Sequence, residues 1–379
     1  MKKKKILYSI DCRLDAGGAP RSTLILAEEM SKEYDVYILM PETNENKDLY
    51  LNLNFIQLHR FRDSFPFFFL QPLKALRFVW EVRKVLKKMS PDIIHAQMPY
   101  GARAIGLLKR MGVIKTPAIY TEREFVAGVR KIYQWFNGEL IARPYDRIVC
   151  LSNKAKSFWL KYRNDYEMCV IPNPGGKEFD VYSEEQYLLA TEHIDCFDPN
   201  NLNVVFVGRY YKTKRWELAE EIIAQYNKSG GGKAHFYIAL IYKQEDKMAV
   251  DFIKRVSAFD NVTVYSNVDT TVMNELYYIS DIHIITSSIE SFGRTAIEAM
   301  ARKCVVYSTD AGAISETIGF PNHIIPPDAK CFVQVIQQVE NDRNKLDSIR
   351  GKMYERYKKL YSTSSIINAY RSIYSDILQ

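Results

Sequence analysis

A chain of 379 residues is long for one hydrophobic core, and its length predicts two domains. Hydrophobic residues at 47% and charged residues at 26% exclude a disordered chain and a membrane-embedded body. The net charge of +7 is uneven, with 30 Lys and Arg against 20 Asp and Glu in residues 1–180 and 22 against 25 in residues 181–379, so the N-terminal half suits an anionic partner such as phospholipid headgroups, a pyrophosphate or a nucleic acid.

Lysines at 2–5 precede an apolar run that stops at Asp11. It is too short for a signal peptide and reads as a first strand. Strands predicted at 5–10, 35–40, 92–95, 118–120, 147–151 and 168–171 alternate with helices at 21–31, 72–88, 102–111, 124–141 and 153–162, the pattern of βα units on a parallel sheet. Residues 172–203, rich in Pro, Gly, Asn and acidic residues, break that alternation. We therefore expect an N-terminal domain over 1–178 and a linker over 179–202. The alternation restarts with strands at 203–207, 235–241, 262–265, 281–285 and 304–307 and helices near 215–226, 244–257, 271–278 and 293–302, which predicts a second domain over 203–360. Ile366, Ile367, Tyr370, Ile373, Tyr374 and Ile377 fall at helical spacing. They predict a final helix within 361–379 that crosses back to the N-terminal domain. The fold class is α/β, two doubly wound Rossmann-like domains facing a cleft lined by the carboxyl ends of both sheets.

Six cysteines, at 12, 150, 169, 196, 304 and 331, lack metal or disulfide spacing, which points to a reducing cytoplasm. No run of about 18 apolar residues predicts a membrane-spanning helix. Asp-x-Asp and HExxH are absent, so no metal is expected, and without Gly-x-Gly-x-x-Gly or a Walker A loop neither a dehydrogenase nor an ATPase is indicated. No cofactor is expected.

The most informative stretch follows the strand at 281–285. Residues 286–293, Thr-Ser-Ser-Ile-Glu-Ser-Phe-Gly, read as a loop at the carboxyl end of that strand, and 294–302 as the next helix. This order puts Gly293 where backbone can approach a ligand and aims free helix N–H groups, with the positive end of the dipole, at it. A phosphate is stabilised in such a place. Glu298, about one turn into the helix, can accept from a ribose diol, and Glu290 can hold sugar hydroxyls. Two glutamates eight residues apart arise by chance roughly once or twice in such a chain; their surroundings give the spacing meaning.

Glu290-Ser291-Phe292-Gly293-Arg294-Thr295-Ala-Ile-Glu298-Ala-Met-Ala closely resembles the E-x7-E motif of glycosyltransferase family 4. The resemblance covers nearly the whole chain. Val207-Gly208-Arg209, with Lys214 five residues on, is similar to the pair of cations that clasps the donor diphosphate in that family; Gly17-Gly18 resembles its N-terminal glycine loop. Further landmarks are Pro91-Asp-Ile-Ile-His95-Ala-Gln97, Ile171-Pro-Asn-Pro-Gly175, and Thr309-Asp310-Ala-Gly312-Ala313 with Glu316. The resemblance implies a GT-B fold and a retaining transferase with Glu290, Arg209 and Lys214 as its catalytic groups. Gly17, Gly18, Gly208, Ser291, Phe292, Gly293, Arg294, Thr295 and Glu298 are then the donor-binding residues.

The chain departs from the family on the acceptor side. Arg123 stands where many members have a histidine near the reacting sugar, replacing a neutral ring by a permanent cation. This suggests an anionic acceptor, or Glu122 or Glu124 in the missing role. Gln97 stands where a second histidine is common; Arg215 and Lys303 replace two common glycines. His95, Gln97, Glu122 and Arg123 are the acceptor-side candidates.

Residues 51–150 hold 17 basic against 7 acidic residues, and Phe65-Pro-Phe-Phe-Phe-Leu70 precedes a basic amphipathic helix. That segment reads as a membrane-interface element or as a packed aromatic cluster under an ordinary surface helix. The expected partners are therefore a nucleotide sugar, a glycan or lipid-linked acceptor and the inner face of a membrane, with no nucleic acid. The expected function is assembly of surface polysaccharide or glycolipid; a nucleotide-sugar epimerase of the same fold and a catalytically silent binding scaffold stay open.

Overall fold

The computed structural model describes residues 3–14, 17–43, 47, 50–66, 68, 70–123, 130–164 and 167–379. Two compact units emerge, one of Met1–Gly176 with Thr363–Gln379, the other Lys177–Ser362.

The first unit is built on seven parallel strands: β1 Lys5–Ser9, β2 Asp35–Glu42, β3 Asn54–Arg62, β4 Ile93–Ala96, β5 Ala118–Thr121, β6 Arg147–Cys150 and β7 Met168–Val170, in the order β3-β2-β1-β4-β5-β6-β7. Central strands are apolar on both faces because helices cover both. Leu7, Ile94, Tyr120 and Ile148 face one core with Phe78, Val82 and Ile105, while Ile6, Tyr8, Ile93, Ile119 and Val149 face the other with Leu24, Ala27 and Met30. The final helix, Thr363–Leu378, adds Ile366, Ile367, Tyr370 and Tyr374 to that second core.

β3 is absent from the sequence-based expectation. It lies at the sheet edge, and of its nine residues only Leu58 and Phe61 are buried, so neither alternation nor a continuous apolar run marks it. The helix expected over 124–141 is seen from Lys131–Asn137, continuing as a π turn over Gly138–Ala142; residues 124–129, Glu124 among them, lie outside the described residues.

The second unit carries β8 Leu202–Arg209, β9 Ala234–Ile241, β10 Val262–Ser266, β11 Ile282–Ile285 and β12 Val305–Ser308, all parallel, in the order β10-β9-β8-β11-β12. In both sheets the first strand pairs with the second on one side and the fourth or its equivalent on the other. Topological switch points therefore fall between β1 and β4 and between β8 and β11, where open α/β sheets bind ligands.

Residues 179–202, expected as a linker, contain helix Glu184–His193 and belong to the second unit. Ser183 Oγ caps that helix, accepting from Gln186 N, and Glu184 and Glu185 favour its first turn. Its sequence lacks a periodic signal because only Ala190 is buried. The segment is pinned by Arg302, whose guanidinium lies 4.8 Å from the Phe179 ring and 4.5 Å from that of Tyr278 and donates to Asn274 Oδ1 at 2.6 Å and to Val181 O at 3.1 Å. Lys303 Nζ sits 3.6 Å from the Tyr182 ring.

Candidate active site

The candidate donor site lies at the switch point of the second sheet. β8 ends in Gly208 and Arg209, a single 3-10 turn over Lys212–Lys214 follows, and Arg215 takes a left-handed φ of 52° to open helix Trp216–Lys228. Trp216 Nε1 donates to Arg209 O at 2.9 Å, which fixes the end of the strand. A Cβ on Gly208 would stand 3.4 Å from Trp216 and 3.7 Å from Lys214 Cδ, so glycine there lets the lysine stem lie close.

Across the switch point, β11 runs into the loop holding Glu290. Thr286 Oγ1 donates to Lys214 O at 2.7 Å and Ser288 N to Thr213 O at 2.8 Å, joining the two loops. Lys214 Nζ and Ser287 Oγ then converge on Glu290 Oε1, at 2.5 and 2.7 Å. Gly312 completes this support. At φ +59° its missing Cβ would sit 2.0 Å from Glu290 O, and Ala313 N donates to that oxygen at 3.0 Å.

Gly293, at φ 85° and ψ 60°, turns the chain into helix Arg294–Ala301, a conformation that disfavours any residue with a Cβ. Among the described residues no side chain caps this helix start, where Ala296 N donates to Gly293 O at 3.0 Å and the positive end of the helix dipole suits an anion. Glu298 is buried and accepts from Arg294 Nε at 2.7 Å. Phe292 is buried against Tyr361, and Thr317 Oγ1 donates to Phe292 O at 2.6 Å; Ser291 and Thr295 are half-buried on the same turn. Ser287 and Thr317 were not among the expected site residues. A hydroxyl one turn from a glutamate carries no sequence signal of its own.

The acceptor-side candidates gather at the carboxyl edge of the first sheet and are all buried. Arg123 is 5% exposed; its Nε and Nη2 donate to Gln97 Oε1 at 3.0 and 2.8 Å, and Nη1 donates to Asn173 Oδ1. Glu122 accepts from Trp159 Nε1. His95 lies in the core of the unit, with the Tyr374 hydroxyl 2.7 Å from Nδ1 and Thr121 Oγ1 2.7 Å from Nε2. Burial, reinforced by the charge of Arg123, holds its imidazole well below the ordinary range, so it is neutral. Gly17, at φ 126° and ψ −156°, precedes helix Gly18–Ser31 in a conformation open only to glycine.

Helix Pro72–Met89 divides its faces. Phe78, Val79, Val82 and Leu86 join the core with Phe65, which packs 4.3 Å from Phe78. Leu73, Leu76 and Trp80 are 82%, 64% and 44% exposed, and Leu70 is exposed beside them. Lys84 Nζ stands 3.2 Å over the Trp80 ring. The aromatic run is thus split, Phe65 inward and Leu70 outward; Phe67 and Phe69 lie outside the described residues.

Among the described residues no group of three or more His, Cys, Asp or Glu could hold a metal ion, and no helix is long and apolar enough to cross a membrane.

The two doubly wound units have the architecture of the GT-B fold. Residues 16–174 match the model of Glycosyltransferase Family 4, and residues 197–359 match that of Glycosyl transferases group 1. Together the matches take in most of the chain, and it belongs to the GT-B glycosyltransferases of this family. No curated protein matches it by sequence. Among solved structures it is similar to a glycosyltransferase from Rickettsia africae (18% identity, all of both chains, TM-score 0.80) and to a sucrose-phosphate synthase from Thermosynechococcus elongatus (16%, 99% of each chain, 0.81). It is also similar to the Anabaena protein HepE in complex with UDP and glucose (15%, 98% of this chain and 100% of that one, 0.78). These likenesses establish the fold.

Proposed function

We propose that this glycosyltransferase moves a sugar, with retention of anomeric configuration, from a UDP- or GDP-type donor to a glycan or lipid-linked acceptor during assembly of surface polysaccharide or glycolipid. One observation carries the reading. Lys214 and Glu290 meet at the switch point of the second sheet, beside a helix start that no side chain caps. The complex of the Anabaena relative with UDP and glucose favours UDP as the carrier.

Breaking the bond to the anomeric carbon puts negative charge on the leaving diphosphate. Fixed cations and oriented N–H groups stabilise that charge as it develops. Lys214 carries three N–H donors, so it can keep Glu290 and still reach a phosphate oxygen. Arg209 at the end of β8 and the first turn of Arg294–Ala301 supply the rest, and in this reading they take the place of a divalent metal. Glu290 orients the sugar hydroxyls, while Glu298, held by Arg294, takes the ribose diol. The acceptor attacks from the face that the diphosphate leaves, and a diphosphate oxygen takes its proton. Arg123 replaces a neutral ring on the acceptor side and favours an anionic acceptor.

The exposed Leu70, Leu73, Leu76 and Trp80, flanked by Lys74, Arg77, Lys84, Lys87 and Lys88, form the membrane contact. Apolar side chains enter the acyl boundary and the cations meet anionic headgroups. The enzyme then works at the cytoplasmic face of the membrane, where a lipid-linked acceptor is found.

The test is release of nucleoside diphosphate from a panel of UDP- and GDP-sugars, with and without acceptor extracted from membranes. Release that requires acceptor supports transfer. Isomerisation of the sugar without release would make the protein an epimerase, and binding with neither would make it a silent scaffold.

A further inference from the structure

A cavity of about 400 Å³ opens at the carboxyl ends of β11 and β12, wholly within the second unit. It falls in the range of small-ligand sites, about 300–1,000 Å³. Its apolar wall is Ile324, Ile325, Pro326 and Pro327; its polar wall brings together Arg215, Asp310 and the hydroxyl residues Ser287, Ser288 and Thr309. None of the donor-binding residues assigned above lines it.

We infer that this cavity is a carbohydrate subsite that holds one sugar residue of the acceptor next to the Glu290 loop. The inference rests on the reading above that the acceptor is a glycan.

The composition of the walls selects the ligand. One cation and one carboxylate leave the cavity without net charge, which argues against a phosphate or a free metal ion. Arg215 and Asp310, both charged and facing the cavity without a partner among the described residues, argue against an acyl chain. A pyranose ring matches both walls, since its C–H face packs on proline and isoleucine while its hydroxyl rim needs donors and acceptors together. Asp310 is acceptor-only when ionised and can take two vicinal hydroxyls; the guanidinium of Arg215 donates to others. Among the described residues neither side chain is engaged in a hydrogen bond or ion pair, so both are free to turn to a ligand.

Position supports the assignment. Ser287 lines the cavity and donates to Glu290 Oε1 at 2.7 Å, and Thr309 Oγ1 donates to Ser287 O at 2.5 Å. A sugar in the cavity therefore shares a wall with the glutamate that faces the donor. Arg215, standing where the family commonly has glycine, supplies the cation that makes this chain's cavity polar.

The test is saturation-transfer NMR on the full chain with methyl glycosides of glucose, galactose, mannose and N-acetylglucosamine as probes, run in parallel with titration of UDP. Transfer to at least one glycoside is expected, with binding about tenfold weaker in Asp310→Ala and blocked in Pro327→Trp, which fills the cavity from its exposed apolar wall. UDP binding should survive in both variants and so reports that they fold. Glycoside signals that are absent from the wild type, or unchanged in both variants, overturn the subsite. Donor assignment fails separately, by UDP binding that ignores Lys214→Ala, and that result leaves the glycoside outcome readable.

Discussion

Lys214 Nζ lies 2.5 Å from Glu290 Oε1, joining the loop after β8 to the loop after β11 across the switch point of the second sheet. In the proposed reading the pair sets a cation for phosphate and a carboxylate for sugar hydroxyls side by side; its members come from opposite sides of the point where the chain reverses its winding.

Glu290→Gln removes the charge but keeps the shape. The side chains of Lys214 and Glu290 are only 24% and 12% exposed, so loss of the carboxylate leaves a mostly buried ammonium without its counter-charge and should also lower stability, by up to about 3 kcal/mol. Turnover should fall about 100-fold in the protein that remains folded. Steady-state kinetics beside urea unfolding checks this; a large loss of stability with unchanged turnover would make the pair structural.

Gly312→Ala and Gly293→Ala should differ. A Cβ at 312 meets the backbone oxygen of Glu290 at 2.0 Å, whereas one at 293 meets the tip of Ile314, Cδ1, also at 2.0 Å. A side-chain tip can swing away and a carbonyl cannot. Both variants strain a left-handed φ, but Gly312→Ala should lose at least about tenfold more turnover, because it displaces Glu290. Equal losses in both would separate the Gly312 contact from catalysis.

Two positions where the family commonly has glycine keep a left-handed backbone here, Arg215 at φ 52° and Lys303 at φ 58°. Arg215→Gly should therefore raise stability by about 0.5–1 kcal/mol through relief of strain. Lys303→Gly should come out near zero, because it also loses the cation held 3.6 Å over Tyr182. Urea denaturation of the two variants would contradict this if Arg215→Gly lowered the midpoint.

Acid should destabilise the protein before its carboxylates titrate. Burial lowers His95 well below its ordinary range and His283 to about 4. The unfolded chain then binds more protons than the native one below about pH 6.5, so stability is flat above that pH and falls beneath it. The expected slope is at most about 1.4 kcal/mol per pH unit for each histidine. His283→Asn should flatten the dependence measured by urea unfolding between pH 7.5 and 5; an unchanged slope would mean that His283 is charged in the native state.

Reversal of Lys84, Lys87 and Lys88 to Glu should abolish sedimentation with anionic vesicles, and Trp80→Ser should weaken it, with little effect on folding because these side chains are exposed. Unchanged sedimentation of the folded triple variant would remove the membrane contact.

The sheets were legible in the sequence wherever strands are buried on both faces, as at Ile6, Leu7 and Tyr8. They were illegible at the edge, where β3 interleaves His59 and Arg60 with its buried positions. Helix Glu184–His193 escaped for the same reason, since it buries a single alanine. In the donor loop the glutamates and Gly293 could be read from the local order of strand, loop and helix. The support from Gly312 could not, because it depends on how two loops distant in sequence meet. His95 was legible only as a residue at a strand end. Its engagement with Tyr374 comes from the final helix, 279 residues away.

In the proposed donor site Lys214 grips the diphosphate and Glu298 the ribose. Calorimetric titration of UDP and GDP into the wild type, Lys214→Ala and Glu298→Ala tests it most directly. The expected result is binding of at least one nucleotide by the wild type and a loss of about tenfold or more in each variant; affinity unaltered in both variants would remove Lys214 and Glu298 from the donor site.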